Sequence, residues 1–200
     1  MLLLFAAITY SAYPIPNRPT GIIWGTSNPL IVIDLFGDPL CPDCLAAWPT
    51  ISQVLVKYAT TVQFRYHMLP LPYHTWAFVV TRMILAVKSV SEAQARSLVS
   101  CLYSGDQSKF QNGDMELKGE KEAIQYIADW ASYKAGIDKT TLLAKYALTD
   151  ISLAARIEFK YAGFHNVAGT PTFFINGVQA PLGAESTVAD WQAIIDPMLK

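Results

Sequence analysis

Residues 29–48 read PLIVIDLFGDPLCPDCLAAW, an apolar run followed by a break and two cysteines. The run over residues 29–36 is β-branched and almost wholly apolar, which is typical of a strand buried on both faces. Residues 37–40 interrupt the run, and from Cys41 apolar residues recur at helical spacing to about residue 58. The stretch therefore predicts a strand that ends where a helix begins, with both cysteines at the junction.

The chain around this junction predicts an α/β fold. Residues 61–68 (TVQFRYHM) read as a second strand, which gives a parallel strand–helix–strand unit. Residues 172–179 contain Asn-Gly between two short strands, a hairpin signal, and residues 185–199 read as a closing helix. Between these parts, residues 73–161 contain no good strand. They predict helices at roughly 74–89, 91–103, 119–134, 138–147 and 150–161, with a polar loop at 104–119.

Composition excludes several classes of protein. Of the 200 residues, 52% are apolar and 16% are charged, so the chain can bury enough surface to fold. The formal net charge of −1, from 15 basic and 16 acidic residues, disfavours nucleic-acid binding, which needs a basic excess. No apolar run approaches the ~20 residues that span a bilayer.

The N-terminus bears on cellular location. Residues 1–12 begin with the apolar block MLLLFAAI and continue with small and polar residues, which is the outline of a signal peptide. A basic residue before the block and a clean Ala-x-Ala site are both missing. Residues 13–27 are rich in proline and predict an extended linker outside the fold. We expect a protein of the secretory pathway or the extracellular space, with a cytoplasmic location as the alternative.

The segment Cys41-Pro42-Asp43-Cys44 carries the chemistry. Free N–H groups and the helix dipole at a helix N-terminus stabilise an anion, so the pKa of the Cys41 thiol should fall below its free value of roughly 8.5. Pro42 takes the first helical position, where a missing N–H costs nothing. The spacing lets Cys44 face Cys41 across one turn. We expect an exposed, reactive first sulfur and a shielded second sulfur that resolves a mixed disulfide.

Three other interpretations of the two cysteines remain open. A zinc site needs four ligands, and Cys101, His67, His74 and His165 offer no second paired spacing. A static structural disulfide would close only a short loop and stabilise little. Buried, inert cysteines are disfavoured because the flanking Asp38 and Asp43 indicate exposure. Cys101 itself reads as a small core residue on a helix.

Two motifs together resemble the thioredoxin superfamily: the strand–Cys-x-x-Cys–helix junction and the later segment GTPTFFING at residues 169–177. The large helical block narrows the resemblance to the DsbA-like branch. The segments DPLCPD (residues 38–43) and PLPYH (residues 70–74) also resemble a eukaryotic DsbA-like subgroup with plant members. The resemblance implies a thioredoxin fold over residues 28–72 and 162–200, with 73–161 as a helical insertion between its second and third strands.

The resemblance also implies roles for single residues. Pro171, after Thr170, matches the family's cis-proline, whose loop lies beside the active cysteines and binds the substrate backbone. Asp34 lies on the strand where thioredoxins carry a buried carboxylate that relays protons, although at a slightly different spacing, so we list it as a candidate relay. Asp43 replaces the histidine of strongly oxidising bacterial members. A carboxylate there should oppose thiolate formation, so we expect a less acidic Cys41 and a weaker oxidant.

The sequence as a whole predicts a thiol–disulfide oxidoreductase that acts on protein or peptide thiols through Cys41 and Cys44, with tuning by Pro42 and Asp43. No metal or organic cofactor is implied, while glutathione or another redox partner could recycle the cysteines. One alternative is an enzyme like the kappa-type glutathione transferases and isomerases. The other is a non-catalytic, chaperone-like module in which the cysteine pair is a relic.

Overall fold

The computed structural model describes residues 20–111, 113 and 115–200. Its strands and helices follow one another in the order that the sequence predicts, with one additional strand at the start. Within these residues the strands are β1 (Ile22–Gly25), β2 (Ile31–Gly37), β3 (Val62–Met68), β4 (Thr172–Ile175) and β5 (Val178–Gln179). The α-helices of the same part of the chain are α1 (Pro42–Lys57), α2 (Ala77–Lys88), α3 (Glu92–Leu102), α4 (Glu120–Ala135), α5 (Lys139–Tyr146), α6 (Thr149–Phe164) and α7 (Val188–Met198). A 3-10 helix covers Asp106–Phe110.

The strands form one sheet in the order β1-β3-β2-β4-β5. β2 and β3 are parallel, which confirms the predicted strand–helix–strand unit. β4 runs antiparallel to β2, and β5 pairs with β4 through a turn at Asn176 and Gly177, where both φ angles are positive, 48° and 82°. Such angles suit the two-residue hairpin that this dipeptide predicts.

Helices cover both faces of the sheet. Neighbouring residues of a strand point to opposite faces, and β4 shows which helix lies on each. Phe173 contacts Trp191 of α7, whereas Phe174 contacts Phe36 in a small cluster that includes Ala162 of α6. α1 lies on the α7 face, where the Tyr58 hydroxyl donates a hydrogen bond of 2.5 Å to Asp196. The cysteine-bearing helix and α6 are therefore separated by the sheet.

The helical insertion lies between β3 and β4, and this α/β thioredoxin-like arrangement confirms the predicted fold class. Gly136 ends α4 in a left-handed conformation with φ of 64°, as a glycine C-terminal stop does. α6 ends at Phe164, and the left-handed residue that follows it is Asn166, with φ of 56°. α6 packs both on β3 of the sheet and on α2 of the insertion, so it joins the two parts.

The expectation of a linker over residues 13–27 is wrong for its last part, because residues 22–25 form the edge strand β1, antiparallel to β3. The outer edge of β1 is satisfied by side chains of α3. The Ile23 N–H donates to Glu92 at 2.8 Å, and Arg96 donates to the Ile23 carbonyl at 2.9 Å. Side chains that are distant in sequence thus replace the missing neighbouring strand, which local patterns do not reveal.

The predicted signal peptide, residues 1–12, and the first part of the predicted linker, residues 13–19, lie outside the described residues. Across the part of the chain that the structure describes, none of the helices is both long and apolar enough to cross a membrane.

Candidate functional site

The two cysteines lie at the junction that the sequence predicts. β2 ends at Gly37, and α1 begins at Pro42 with Cys41 as its N-terminal capping residue. The Cys41 N–H donates to the Asp38 carbonyl at 3.0 Å, which closes the turn between strand and helix. Both thiols are free, and the Cys44 thiol lies within hydrogen-bonding reach of Cys41. The two sulfurs therefore lie close together at the positive end of a helix.

The loop before β4 lies against the first sulfur. The peptide bond between Thr170 and Pro171 is cis, and the Cys41 thiol donates to the Thr170 carbonyl with a sulfur–oxygen distance of 3.4 Å. The Thr170 hydroxyl is buried and has no hydrogen-bond partner among the described residues. The fold thus brings Thr170 and Pro171 to the cysteines, as the resemblance implies.

The environment of Cys41 favours its thiolate. The hydrogen bond from Cys44 is the largest influence, and with the Thr170 side chain and the N–H groups of Cys44 and Asp43 it outweighs burial. Together these groups lower the pKa of Cys41 from an ordinary 9.0 to about 6. Cys41 is therefore mostly a thiolate at neutral pH, which is the nucleophilic form.

Cys44 is tuned in the opposite direction. Burial, the hydrogen bond it donates to Cys41 and the negative charge on Cys41 raise the pKa of Cys44 well above 9.0. It therefore stays protonated while Cys41 ionises. At neutral pH the Cys41 sulfur therefore carries a negative charge and the Cys44 thiol donates a hydrogen bond to it.

The expectation of an exposed first sulfur is wrong. Only 4% of the Cys41 surface is exposed, and Asp38, which was expected to indicate exposure, is fully buried. Asp43 is exposed, and its backbone N–H rather than its carboxylate is among the groups that shift the pKa of Cys41. The reason is tertiary, because the Thr170 loop and the insertion close over the turn.

Two glutamines of the insertion hold the cysteine turn, and the sequence analysis missed both. Gln107 is buried in the 3-10 helix and donates to the carbonyls of Pro39 at 3.0 Å and Cys41 at 2.9 Å. Gln111 donates to the Leu40 carbonyl at 2.5 Å. Three consecutive carbonyls are thereby satisfied from a segment that reads locally as a polar loop.

Asp38 ties the cysteine turn to the loop after β3. Its carboxylate accepts the N–H groups of Leu40 and Leu71, each at 2.7 Å, and contacts Nδ1 of His74 at 2.8 Å. Burial raises the pKa of Asp38 against these three bonds. The segments 38–43 and 70–74, which carried the resemblance to the eukaryotic subgroup, are therefore bonded to each other.

A chain of two tyrosines ends at the same turn. The Tyr66 hydroxyl lies 2.7 Å from the Tyr103 hydroxyl, which donates to the Asp38 carbonyl at 2.7 Å. Burial and the nearby cysteines raise the pKa of Tyr66 well above its usual range, so its hydroxyl stays protonated. The Tyr66 ring also explains Gly37, since a Cβ there would lie 2.6 Å from the ring.

The fold does not bring Asp34 together with the cysteines. Asp34 lies on the α6 face of the sheet, where its carboxylate contacts Nε2 of His67 at 3.0 Å. Nδ1 of the same ring lies 3.2 Å from Glu158 of α6. Neighbouring residues of a strand point to opposite faces, so the buried Leu35 takes the α1 face instead of Asp34. A relay to the cysteines needs a contact that this placement does not provide.

The remaining cysteine and histidines form no further centre. Cys101 is half-buried on α3 and packs against the core. Within the described ranges, no group of three or more histidine, cysteine, aspartate or glutamate side chains is arranged to hold a metal ion.

Comparison with known proteins agrees with this geometry. A family model described as Thioredoxin matches residues 17–197. The chain therefore belongs to this thioredoxin family. No curated protein matches the sequence.

Solved structures from bacteria share the fold at low sequence identity. A candidate protein-disulfide isomerase from Pseudomonas syringae is 22% identical, with a TM-score of 0.75 over 88% of this chain and 97% of that one. The thiol-disulfide exchange protein alpha-DsbA2 from Wolbachia pipientis is 16% identical, with a TM-score of 0.70 over 88% and 86%. A periplasmic thioredoxin-like protein from Salmonella enterica serovar Typhimurium is 21% identical, with a TM-score of 0.65 over 92% of both chains.

Proposed function

We propose that the protein is a DsbA-like thiol–disulfide oxidoreductase that exchanges disulfides with protein or peptide thiols through Cys41 and Cys44. The observation that carries this proposal is the opposite tuning of the two sulfurs, with the pKa of Cys41 lowered to about 6 and that of Cys44 raised. A structural pair of thiols would not need a thiolate at neutral pH. Pro42 supports the tuning by starting the helix directly after Cys41.

Disulfide exchange with a substrate proceeds in two steps. The Cys41 thiolate attacks a substrate disulfide, one substrate sulfur leaves as a thiolate, and a mixed disulfide forms. Cys44 then passes its proton to the first substrate thiolate and attacks the Cys41 sulfur, which releases the second substrate thiolate and leaves a Cys41–Cys44 disulfide. Run in reverse, the same steps oxidise a substrate dithiol. Thr170 and Pro171 would position the substrate backbone, which the contact between the Thr170 carbonyl and Cys41 supports.

A thiolate of lowered pKa stabilises the reduced form and makes the disulfide more oxidising. The thiol pKa is about 7 in thioredoxin and about 3.5 in DsbA, with potentials of about −270 and −120 mV. We therefore expect a potential between these limits, a weaker oxidant than DsbA. Glutathione or another thiol partner would recycle the pair.

The proposal extends to location and subgroup. The apolar start of the chain and the periplasmic source of one structural neighbour support work in the secretory pathway or outside the cell. The bonds from Asp38 to Leu71 and His74 support membership of the eukaryotic DsbA-like subgroup, because they join the two segments that carry that resemblance.

Insulin reduction by dithiothreitol tests the activity. The wild-type protein should accelerate insulin precipitation, Cys41→Ser should abolish the acceleration, and Cys101→Ser should retain it as the matched control. Alkylation of Cys41 by iodoacetamide should rise with pH around a midpoint of about 6. An effect that survives Cys41→Ser would instead indicate a chaperone-like module. Glutathione conjugation by a variant lacking both active-site cysteines would favour the kappa-type alternative.

A further inference from the structure

A groove beside the cysteine turn is not used by the exchange chemistry. It lies between the loop after β3, the start of α2 and the middle of α6, and it encloses about 400 Å³. We call it the cationic groove and define it by six of its lining residues: Pro72, His74, Phe78, Arg156, Phe159 and Lys160.

The apolar walls of the cationic groove are open to solvent. Phe78 is 36% exposed and Phe159 is 50% exposed, and they come from two different helices. Exposed aromatic side chains that converge on a concave surface are typical of a binding site rather than of a solvated face. Pro72 adds a rigid apolar edge. The groove can therefore hold apolar side chains of a ligand.

The rim of the groove is basic. Arg156 and Lys160 lie one turn apart on α6 and flank Phe159, and His74 lines the side next to the cysteine turn. Among the residues that the structure describes, no acidic side chain lines the groove. A ligand that carries negative charge beside its apolar groups would be complementary to this surface.

The nearby acidic residues are turned inward. Asp38 is fully buried beneath His74, and Glu158, the neighbour of Phe159 in sequence, is bonded to His67 and to the Gly21 N–H on the sheet side of α6. These carboxylates are engaged by interior donors and do not line the groove, whereas Arg156 and Lys160 on the same helix are exposed. The groove lining therefore contributes basic side chains and no acidic one among the described residues.

We propose that the cationic groove binds an acidic, apolar peptide segment of a partner protein. The concave groove can hold a short peptide, whereas a flat partner surface would not reach into it. Aromatic side chains beside basic ones fit a segment in which carboxylates flank a phenylalanine or leucine. Since His74 is bonded to Asp38, whose carbonyl accepts the Cys41 N–H, the docked segment lies next to the redox pair. The groove would therefore bind the partner protein without using either sulfur.

The test uses a fluorescent, cysteine-free peptide in which aspartate and glutamate alternate with phenylalanine and leucine. We expect its anisotropy to report saturable binding to the wild-type protein that weakens as salt is added. Binding should persist in the variant Cys41→Ser/Cys44→Ser, which separates this proposal from the proposed redox function. A peptide with lysine in place of the acidic residues should bind at least about tenfold more weakly.

The groove variant is Arg156→Glu/Phe159→Ser, and the matched control is Lys121→Glu/Tyr133→Ser on the exposed surface of α4. Both change net charge and remove an exposed aromatic side chain, so the fold should tolerate them equally. We expect the groove variant to lose about tenfold or more in affinity while the control stays within about twofold of wild type.

Three results would overturn the proposal. The first is equal binding by the groove variant and the control, and the second is equal binding of the acidic and basic peptides. The third is a different occupant: binding to vesicles of anionic lipid without binding to the peptide, or a dimer of the wild-type chain that the groove variant dissociates.

Discussion

Asp34 and Asp38 are each bonded to a histidine, but the two aspartates have different roles in the structure. Asp34 on β2 is bonded to His67, which also contacts Glu158, and this cluster joins the sheet to α6. Asp38 is bonded to His74 and to two backbone N–H groups, and this cluster holds the cysteine turn. An aspartate–histidine pair thus ties the sheet to α6 in one cluster and supports the cysteine turn in the other. Position along the chain decides the role, because Asp38 lies beyond the end of β2, in the turn that leads to Cys41, whereas Asp34 lies within the strand.

The largest expected effect is on the Asp34 cluster. His67→Leu would leave the carboxylates of Asp34 and Glu158 facing an apolar side chain. Removing one partner of a buried ion pair lowers the free energy of unfolding by about 3–5 kcal/mol. We expect a lower free energy of unfolding by that amount in urea denaturation. The alkylation midpoint of Cys41 should stay where it is in the wild type. A shifted midpoint in a folded His67→Leu protein would show that the two clusters are not separate.

Asp38→Asn should have the next largest effect on stability and a larger one on chemistry. The amide has one NH2 group where the carboxylate has an oxygen, so at least one hydrogen-bond donor that now faces Asp38 would lose its acceptor. Leaving a buried donor unpaired lowers the free energy of unfolding by about 1–3 kcal/mol. Because the same carboxylate holds the turn that carries Cys41, the alkylation rate at pH 7 should change as well. Asp34→Asn is the matched control and should leave that rate unchanged. Equal rates in both variants would remove the distinction between the clusters.

The Asp34 cluster should also make stability depend on pH. Burial disfavours a charged His67, yet the bonds to Asp34 and Glu158 prevail and raise its pKa above 6.5. A raised folded pKa contributes stability that is complete below the unfolded value and is lost as pH rises through the folded value. The melting temperature of wild type relative to His67→Gln should therefore fall as the pH increases above 6.5. A constant difference from pH 6 to 9 would contradict the charged state of this ring.

The smallest effect is expected at Asp43, whose carboxylate is exposed. Removing one charge in water is worth about 1 kcal/mol or less at close range, and a shift of one pKa unit corresponds to about 1.4 kcal/mol. Asp43→Asn should therefore lower the alkylation midpoint of Cys41 by roughly half a unit or less, and leave stability unchanged. A rise in the midpoint would show that the carboxylate does not oppose the thiolate.

The sequence by itself determined the parts of this protein that depend on neighbouring residues. Alternation and β-branching gave the β2–α1–β3 unit, the Asn176-Gly177 dipeptide gave the hairpin, and the position of Cys41 before Pro42 gave a sulfur at a helix N-terminus. These follow from backbone preferences within a few residues, which a linear pattern records.

Only the tertiary structure decided which side chains surround the sulfurs. Gln107 reaches Cys41 from 66 positions away, the Thr170 carbonyl from 129, and His74 reaches Asp38 from 36. The same holds for β1, whose outer edge is satisfied by Glu92 and Arg96 of α3. A buried polar group takes whatever donor or acceptor the packed chain brings within reach, and that choice depends on how distant elements pack together. For this reason the sequence predicted the cysteine pair, the lowered pKa of Cys41 and the shielding of Cys44, while the folded chain determined the burial of Cys41 and the distant groups that act on both sulfurs.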